Sequence, residues 1–460
     1  MFGASIQVPI WLFALILLFA AVTFASHFLF PSVRWFFRKR AEKIVARLNE
    51  RLERPIQPFK LARRYDMIQR LIYDPEVSKA IADYAKKEGV PENVAFERAR
   101  RYAREIVPSF SATAYFGIAI RAAKALSLAL YRVRLGRFDD EAMAGIDKEA
   151  TIVFVMNHRS NMDYVLVTWL AAERSALSYA VGEWARVWPL SRLIRAMGAY
   201  FIRRKYMDAL YRRVLSRYIG LATDAGVTQA VFPEGGLSLD GNLAPPKLGI
   251  LKYIVEERAQ SGRDVIFVPV ALNYDRVFED RVLLAAHKSG KRRFGARISV
   301  IAGFILHQIW LWMTRRYHRH GYAAASFGAP ISLSAFKAEA GNTSVDALAS
   351  RLMDHVAEEI PVLPVPLVAS SFIEATGPLS RDSLAVKVQA ISTRLKGAHI
   401  HVPRDDMSYA VDVGLRQLVS RGMIERQGET YQIVEKERDL LAFYARSLQP
   451  LACQHRIGAR

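Results

Sequence analysis

Between Ile146 and Leu333 short apolar runs alternate with helix-like stretches, and that rhythm restricts this part of the chain to an α/β unit with its functional groups at strand ends. Candidate strands fall at 151–156, 177–181, 198–203, 228–233, 264–272 and 325–331. In the first of them Ile152, Val153, Phe154 and Val155 suit a short buried strand. Asn157, His158, Arg159, Ser160 and Asn161 then break the apolar run. From Asp163 to Ala172 the pattern resumes as a helix, whose first turn Ser160 or Asn161 can cap. A histidine therefore sits where a strand passes into a helix.

Spacing gives this turn two readings. On one continuous helix, residues five apart point ~140° away from each other, so His158 and Asp163 meet only if the backbone turns between them. The plainer reading is a polar turn whose Asp caps the helix and whose His faces solvent. In the other, Asp163 accepts a hydrogen bond from one ring nitrogen of His158 and fixes the tautomer, leaving the second nitrogen as a base. Such a base, removing a proton from an attacking hydroxyl, is worth ~10²–10⁴ in rate.

Three later strand ends carry unusual groups. Gly198-Ala-Tyr-Phe-Ile-Arg203-Arg204-Lys205 puts three cations at a strand exit, a place suited to a phosphate. Phe232-Pro-Glu234-Gly235-Gly236-Leu-Ser238 joins a rigid turn and a carboxylate to two glycines whose backbone can approach an anion. Val268-Pro269-Val270 closes a strand and runs into Asn273-Tyr-Asp-Arg276. Each one alone also fits an ordinary turn or a solvated rim.

Taken in order, NHRSNMD, GAYFIRR, FPEGGLS and VPVALNYDR resemble the four blocks of the glycerophospholipid acyltransferase family, whose signature is H-x-x-x-x-D. The likeness is closest to its glycerol-3-phosphate acyltransferase branch, through G-x-F-F-I-R-R and a Pro-Lys-x-Gly seen here as Pro246-Lys247-Leu248-Gly249. FGAPISL at 327–333 is similar to that branch's closing strand, and LLAFYARSLQPL to its tail. The resemblance implies a mixed sheet flanked by helices and transfer of a fatty acyl group from acyl-CoA or acyl carrier protein to the 1-hydroxyl of glycerol 3-phosphate. It makes His158 the general base and Asp163 its orienter. Arg203, with Arg204 and Lys205 beside it, would bind the acceptor's phosphate; Lys247 counts among the substrate-binding residues, Glu234, Gly235 and Ser238 would shape the acceptor site, and Pro269 would line the acyl side. No metal or cofactor is expected, because a thioester is already activated and direct attack by a base-assisted alcohol suffices.

One departure bears on the acceptor. The branch's third block reads E-G-G-R-S-R-T-G, whereas here Leu237 and Leu239 stand at both arginine positions. Two guanidiniums are lost, each worth ~1.5–3 kcal/mol as a charge-assisted donor. Either Arg203, Arg204 and Lys247 take over, or the acceptor is lysophosphatidate, dihydroxyacetone phosphate or another lipid alcohol.

Charge and hydropathy point to a membrane. Lys and Arg total 65 against 44 Asp and Glu, a net +21, which calls for a polyanionic partner, and an apolar fraction of 52% favours an anionic lipid surface over nucleic acid. A single cysteine, Cys453, excludes an internal disulfide and fits a reducing compartment. Val8 to Phe30 is apolar apart from Thr23, Ser26 and His27, enough for the ~20 residues of a spanning helix. Arg34, Arg38, Lys39, Arg40 and Lys43 follow, and no basic region precedes. That asymmetry predicts an uncleaved anchor with its C-terminal side in the cytoplasm, at an inner membrane if the chain is bacterial.

The remaining chain divides into an anchor at 1–33, basic amphipathic helices at 34–135, a catalytic domain at 136–335 and a helical C-terminal domain at 336–460. TAYFGIAIRAAKALSLALYRVRLG, with Arg121 and Lys124, reads as an interfacial or core-packed helix rather than a second span. Ile298–Met313 reads first as a membrane-dipping helix and second as a core helix. His318 and His320 lack a nearby third ligand for a metal. The Pro-rich run at 361–367 reads as a linker. AVDVGLRQLVSRGMIERQGETYQIV reads as a helix, a Gly turn and a hairpin, a winged-helix-like outline. Its helix bears only Arg416 and Arg421, too few for a nucleic-acid stripe, so a packing appendage or a homodimer contact is expected instead.

Overall fold

The computed structural model describes residues 9–171, 175–182, 190–203, 207–257, 262–290, 310, 313–314, 319–340, 344–395 and 397–451. Arg204, Lys205, His318, Cys453 and most of Ile298–Met313 lie outside the described residues. The chain separates into two compact units, Met1–Pro55 and Ile56–Arg460. The first contains one helix, Ile10–Asn49, of 40 residues, whose described apolar residues from Ile10 to Phe19 are exposed.

The second unit is built on an eight-stranded mixed sheet. Its strands are β1 Arg132–Leu135, β2 Thr151–Met156, β3 Ser178–Val181, β4 Tyr200–Phe201, β5 Gln229–Val231, β6 Val265–Tyr274, β7 Tyr322–Phe327 and β8 Ile331–Ser332. The order is β1-β7-β6-β2-β5-β3-β4, with β8 pairing β6 beside β7. β2, β3, β4, β5 and β6 run parallel, while β7 pairs antiparallel with β6 and parallel with β1. Every residue of β2 is buried, as its unbroken β-branched and aromatic run requires of a central parallel strand.

Two strand boundaries differ from expectation. The run expected at 325–331 is broken at Gly328-Ala329-Pro330, because Pro330 has no N–H for a ladder. β1 falls where the pattern predicts that a helix continues. Instead a π-helical turn, Thr113–Ala119, leads into a helix that ends at Leu130, and the alternating Arg-Val-Arg-Leu that follows pairs in register with Tyr322–Ala325. Among the residues whose side chains are described, Thr113–Leu130 is the one helical run long and apolar enough to cross a membrane, and 22% of it is buried.

Helices cover the sheet. Arg64–Ile72, Pro75–Glu88 and Glu92–Ile106 turn Met67, Leu71, Val77, Ile81, Ala99 and Tyr102 inward and keep their charges outside. The run at 361–367 enters a buried helix, Pro364–Ile373, rather than a linker. Proline is well placed in a first turn, where its missing N–H has no partner to lose. Beyond it come helix Arg381–Arg394, helix Met407–Ser420, a turn through Gly422, and β10 Ile424–Gln427 paired with β11 Thr430–Ile433, which also pairs β9 Leu379–Ser380. Core residues of this region, among them Leu384, Val411, Leu415 and Phe443, share one hydrophobic cluster with the central strands.

Candidate active site

The C-terminal end of β2 positions the site. As β2 leaves the sheet, Asn157 continues its pairing with a side chain: Nδ2 donates to the Leu272 carbonyl at 2.9 Å and Oδ1 accepts from the Leu272 N–H at 2.8 Å. The backbone then turns, and helix Met162–Leu170 begins. Ser160 serves the helix start, its Oγ accepting from the Met162 N–H at 3.1 Å. Asn161 does not cap it. Its Nδ2 donates to Glu279 Oε1 at 2.9 Å, while Ser160 Oγ donates to Glu279 Oε2 at 2.8 Å.

At this turn His158 and Asp163 meet. His158 Nδ1 lies 2.9 Å from Asp163 Oδ2, which also accepts from the backbone N–H groups of Arg159 at 2.7 Å and Ser160 at 3.0 Å. Asp163 Oδ1 accepts from the Tyr274 hydroxyl at 2.7 Å. Burial first, and then the Asp163 charge, push that hydroxyl well above its ordinary range, so it donates. Asp163 is 0% exposed, yet both of its oxygens are satisfied, which is the condition for keeping a carboxylate inside a protein. With Nδ1 donating, the tautomer leaves the Nε2 lone pair available, and no hydrogen bond among the described residues engages it. The imidazole packs against Phe232, centroids 4.2 Å apart, and meets the edge of Tyr164 at 5.3 Å.

The turn after β5 clamps the same backbone. Glu234 Oε1 accepts from the His158 N–H at 2.7 Å and Oε2 from the Ala244 N–H at 3.0 Å, while the Ser238 N–H donates to the His158 carbonyl at 2.9 Å. Burial raises the Glu234 carboxyl to about 7 against those donors. Gly235 adopts φ +67°, and a Cβ there would lie 2.8 Å from Lys247 Cδ, so the Lys247 side chain runs along this turn. Ser238 Oγ donates to the Asn242 carbonyl at 2.7 Å and accepts from the Gly241 N–H at 3.1 Å, closing the loop. At Gly241, φ +95°, a Cβ would collide with the Phe443 carbonyl. Arg159 Nη1 donates to the Gly241 carbonyl and its guanidinium sits 5.3 Å from the Phe443 ring centroid, so the last helix, Arg438–Ala445, packs against this loop. Leu237 and Leu239 are half-buried against the core.

Arg203 stands apart from this cluster at the exit of β4. Its Nε and Nη2 donate to the two Glu105 oxygens at 2.8 and 2.7 Å, and its guanidinium lies 4.9 and 5.2 Å from the rings of Tyr102 and Tyr211. The Glu105 hydrogen bonds hold it well above the usual guanidinium range. Pro269 is buried in β6 opposite Val155, and its carbonyl accepts from the Gly328 N–H at 2.8 Å where the antiparallel partner changes from β8 to β7. At that junction no ladder N–H is required, which accommodates proline inside the sheet.

The structure thus gathers His158, Asp163, Glu234, Gly235, Ser238 and Lys247, puts Pro269 on the adjacent strand β6, and leaves Arg203 at the exit of β4, three strands from β2. Sequence reasoning passed over Tyr274, Glu279, Asn157 and Glu105. Tyr274 lay inside the VPVALNYDR block, but nothing local marks it as a partner of a carboxylate 111 residues away. Among the described residues no group of three or more His, Cys, Asp or Glu is disposed around a metal position.

Residues 138–273 match the family model described as Acyltransferase. A glycerol-3-phosphate acyltransferase of Pseudomonas putida is 26% identical over 404 residues, covering 83% of this chain and 46% of the relative. One from Alteromonas mediterranea is 31% identical over 189 residues, covering 40% of this chain and 22% of the relative. Among solved structures, the 1-acyl-sn-glycerophosphate (LPA) acyltransferase PlsC of Thermotoga maritima is 20% identical, with a TM-score of 0.33, over 53% of this chain and 75% of that one. The chain spans less than half the length of these two curated relatives.

Proposed function

We propose that this chain, whose residues 138–273 match the family model described as Acyltransferase, moves a fatty acyl group from a thioester, acyl-CoA or acyl carrier protein, to the 1-hydroxyl of glycerol 3-phosphate, giving lysophosphatidate. The observation that carries this reading is the buried Asp163 carboxylate, met by three donors besides the His158 ring that it orients. In the proposed step the acceptor hydroxyl loses its proton to His158 Nε2 as its oxygen bonds to the thioester carbon. The tetrahedral oxyanion then collapses, the C–S bond breaks, and the leaving thiolate takes the proton back from the imidazolium. Atoms and charge balance without a further reactant. Glu234 and Ser238 position the His158 backbone, and Gly235 keeps the adjoining turn open beside Lys247.

The acceptor's phosphate is assigned to Arg203, with Arg204 and Lys247. Binding there would have to exchange one anion for another, since Glu105 now holds the Arg203 guanidinium in a bidentate pair. Leu237 and Leu239, turned against the core, contribute packing in place of the two arginines of the resembling branch. Pro269 is assigned to the acyl side.

We place the enzyme at the cytoplasmic face of a membrane. The 40-residue helix Ile10–Asn49 supports an anchor, and the basic run that follows its apolar half in the sequence, Arg34, Arg38, Lys39, Arg40 and Lys43, assigns the C-terminal side to the cytoplasm and to anionic phospholipid. The helix–turn–hairpin after Met407 serves as a winged-helix-like packing appendage, with a homodimer as one use of its outer face.

His158→Ala tests the reaction. Purified protein given acyl-CoA and glycerol 3-phosphate should release CoA ~10²–10⁴ times more slowly with this change. An unchanged rate would end the reading. Competition among glycerol 3-phosphate, dihydroxyacetone phosphate and lysophosphatidate for the same donor identifies the acceptor.

A further inference from the structure

A second concentration of charge lies outside the site described above. Arg132 and Arg134 project from one face of β1, and both guanidiniums stack on Tyr322, the first residue of β7, at 5.7 and 5.4 Å from its centroid. Across from them the loop 399–405 brings His401, whose ring lies 4.6 Å from Tyr322, and Arg404, whose guanidinium lies 4.3 Å over Tyr409. These groups surround an open cavity of about 610 Å³, within the range of small-ligand sites. Among the described residues Asp405 is the one carboxylate lining it, and none of the three arginines has an acidic partner within ion-pair distance.

The loop is held rather than loose. Val362 and Ile400 form a parallel bridge, with the His401 N–H donating to the Val362 carbonyl at 2.9 Å and the Val362 N–H to that of His399 at 2.9 Å. Beyond it Arg404 and Asp405 take φ of 60° and 54°, a region non-glycine residues seldom enter. Backbone conformations of that kind persist where surrounding structure enforces them, and they gather at binding sites. His401 Nε2 is buried with no hydrogen-bond partner among the described residues.

We propose that this groove binds a phosphate-bearing anion. Arginine forks match phosphate oxygens bidentately, and stacking on Tyr322 and Tyr409 aligns three of them before a ligand arrives. The location is distinct from His158. β7 runs antiparallel to β6, so Tyr322 lies at the same end of the sheet as the His158 turn, but β1 is three strands from β2, about 14 Å along the sheet. The phosphate could belong to the nucleotide end of a thioester donor, to a lipid headgroup or to free phosphate; the chemistry of recognition is shared. The site stands independently of the acyl-transfer reading.

The test uses the full chain carrying His158→Ala, Arg203→Gln, Arg204→Gln and Lys247→Gln, which removes the base and the three cations assigned above to the acceptor's phosphate. Adenosine 3′,5′-bisphosphate, water-soluble dibutyryl phosphatidate and inorganic phosphate are titrated separately by calorimetry. At least one should bind saturably, and the tightest identifies the source. Adding Arg132→Gln, Arg134→Gln and Arg404→Gln together should weaken that binding at least fivefold, and Arg134→Gln alone should weaken it measurably while leaving the unfolding midpoint in place. Absence of saturable binding by all three probes, or a loss below fivefold in the triple variant, overturns the proposal.

Discussion

The turn at His158 and the strand exit at Arg203 lie at the same end of one sheet, and they hold their charges by different means. At the turn, the buried carboxylates of Asp163 and Glu234 are met by backbone N–H groups, a tyrosine hydroxyl and an imidazole, with no Lys or Arg among the described residues in direct contact. At the exit, a guanidinium is met by another full charge, Glu105, with side chains 24% and 13% exposed. Fixed dipoles cannot leave, so the first arrangement sets a geometry that persists through a reaction. An ion pair that keeps some contact with solvent can trade one anion for another, provided the incoming anion replaces Glu105 at the guanidinium, so the second suits a group that binds and releases an anion.

Removing the acceptor at the turn should have the largest effect. Asp163→Asn faces two backbone N–H groups with an amide and withdraws the carboxylate that orients His158; CoA release should fall ~10²–10⁴-fold, with glycerol 3-phosphate KM nearly unchanged. A comparable fall in affinity with kcat retained would break the distinction between the two regions.

The next effect is a slope of stability with pH. Glu234 ionises near its ordinary 4.5 in the unfolded chain but at about 7 when folded, because burial disfavours the charge. Between those values the folded protein holds a proton that the unfolded chain has lost. Stability should therefore fall as pH rises from 4.5 to 7. The loss is a few kcal/mol at most, since each tenfold difference in proton affinity is worth about 1.4 kcal/mol. Asp275, raised by burial to about 7, adds a slope of the same sign. Denaturant titrations across this window measure it, and Glu234→Gln should flatten the curve.

Tyr274→Phe deletes one of the donors to Asp163 and should cost about 1 kcal/mol of stability, with a modest drop in kcat and a displaced pH profile. A variant with lowered stability and an unmoved pH profile would reduce Tyr274 to packing. The smallest change belongs to the strand exit. Arg203→Gln should raise the apparent KM for glycerol 3-phosphate, whereas Glu105→Gln, by freeing the guanidinium, should lower it a few-fold. If both raise it, the pair is a structural strut and not an exchangeable site.

How far the sequence foretold these features depends on where their partners lie. The strand–turn–helix at 151–170 was legible because its signals are contiguous: β-branched residues, a polar break with capping side chains, and a second apolar run. The candidate residues His158, Glu234, Gly235 and Ser238 were legible as ordered blocks, though nothing in them disclosed that Glu234 would grip the His158 backbone. Glu279 and Glu105 were not legible, since each meets its partners only through the fold, Glu105 reaching Arg203 across 98 positions. Local pattern also misled. The prolines at 361–367 suggested a linker because proline usually interrupts regular structure, yet Pro364 and Pro366 fall in a first helical turn where that restriction is harmless. The alternation in Arg-Val-Arg-Leu was masked by the apolar helix preceding it.

The packing of Gly241 against Phe443 has a consequence for biosynthesis. The loop that braces His158 is itself braced by residues made much later: Arg446 donates to the Asp240 carbonyl across 206 positions. At about 5–20 residues per second a ribosome needs roughly 10–40 s to cover that distance. During that interval every residue of the His158–Asp163 turn has been synthesised and the contact that closes its neighbouring loop has not. A nascent chain stalled anywhere before Phe443 should therefore display the turn without its full support, which keeps the His158–Asp163 pair from maturing until most of the unit around it exists.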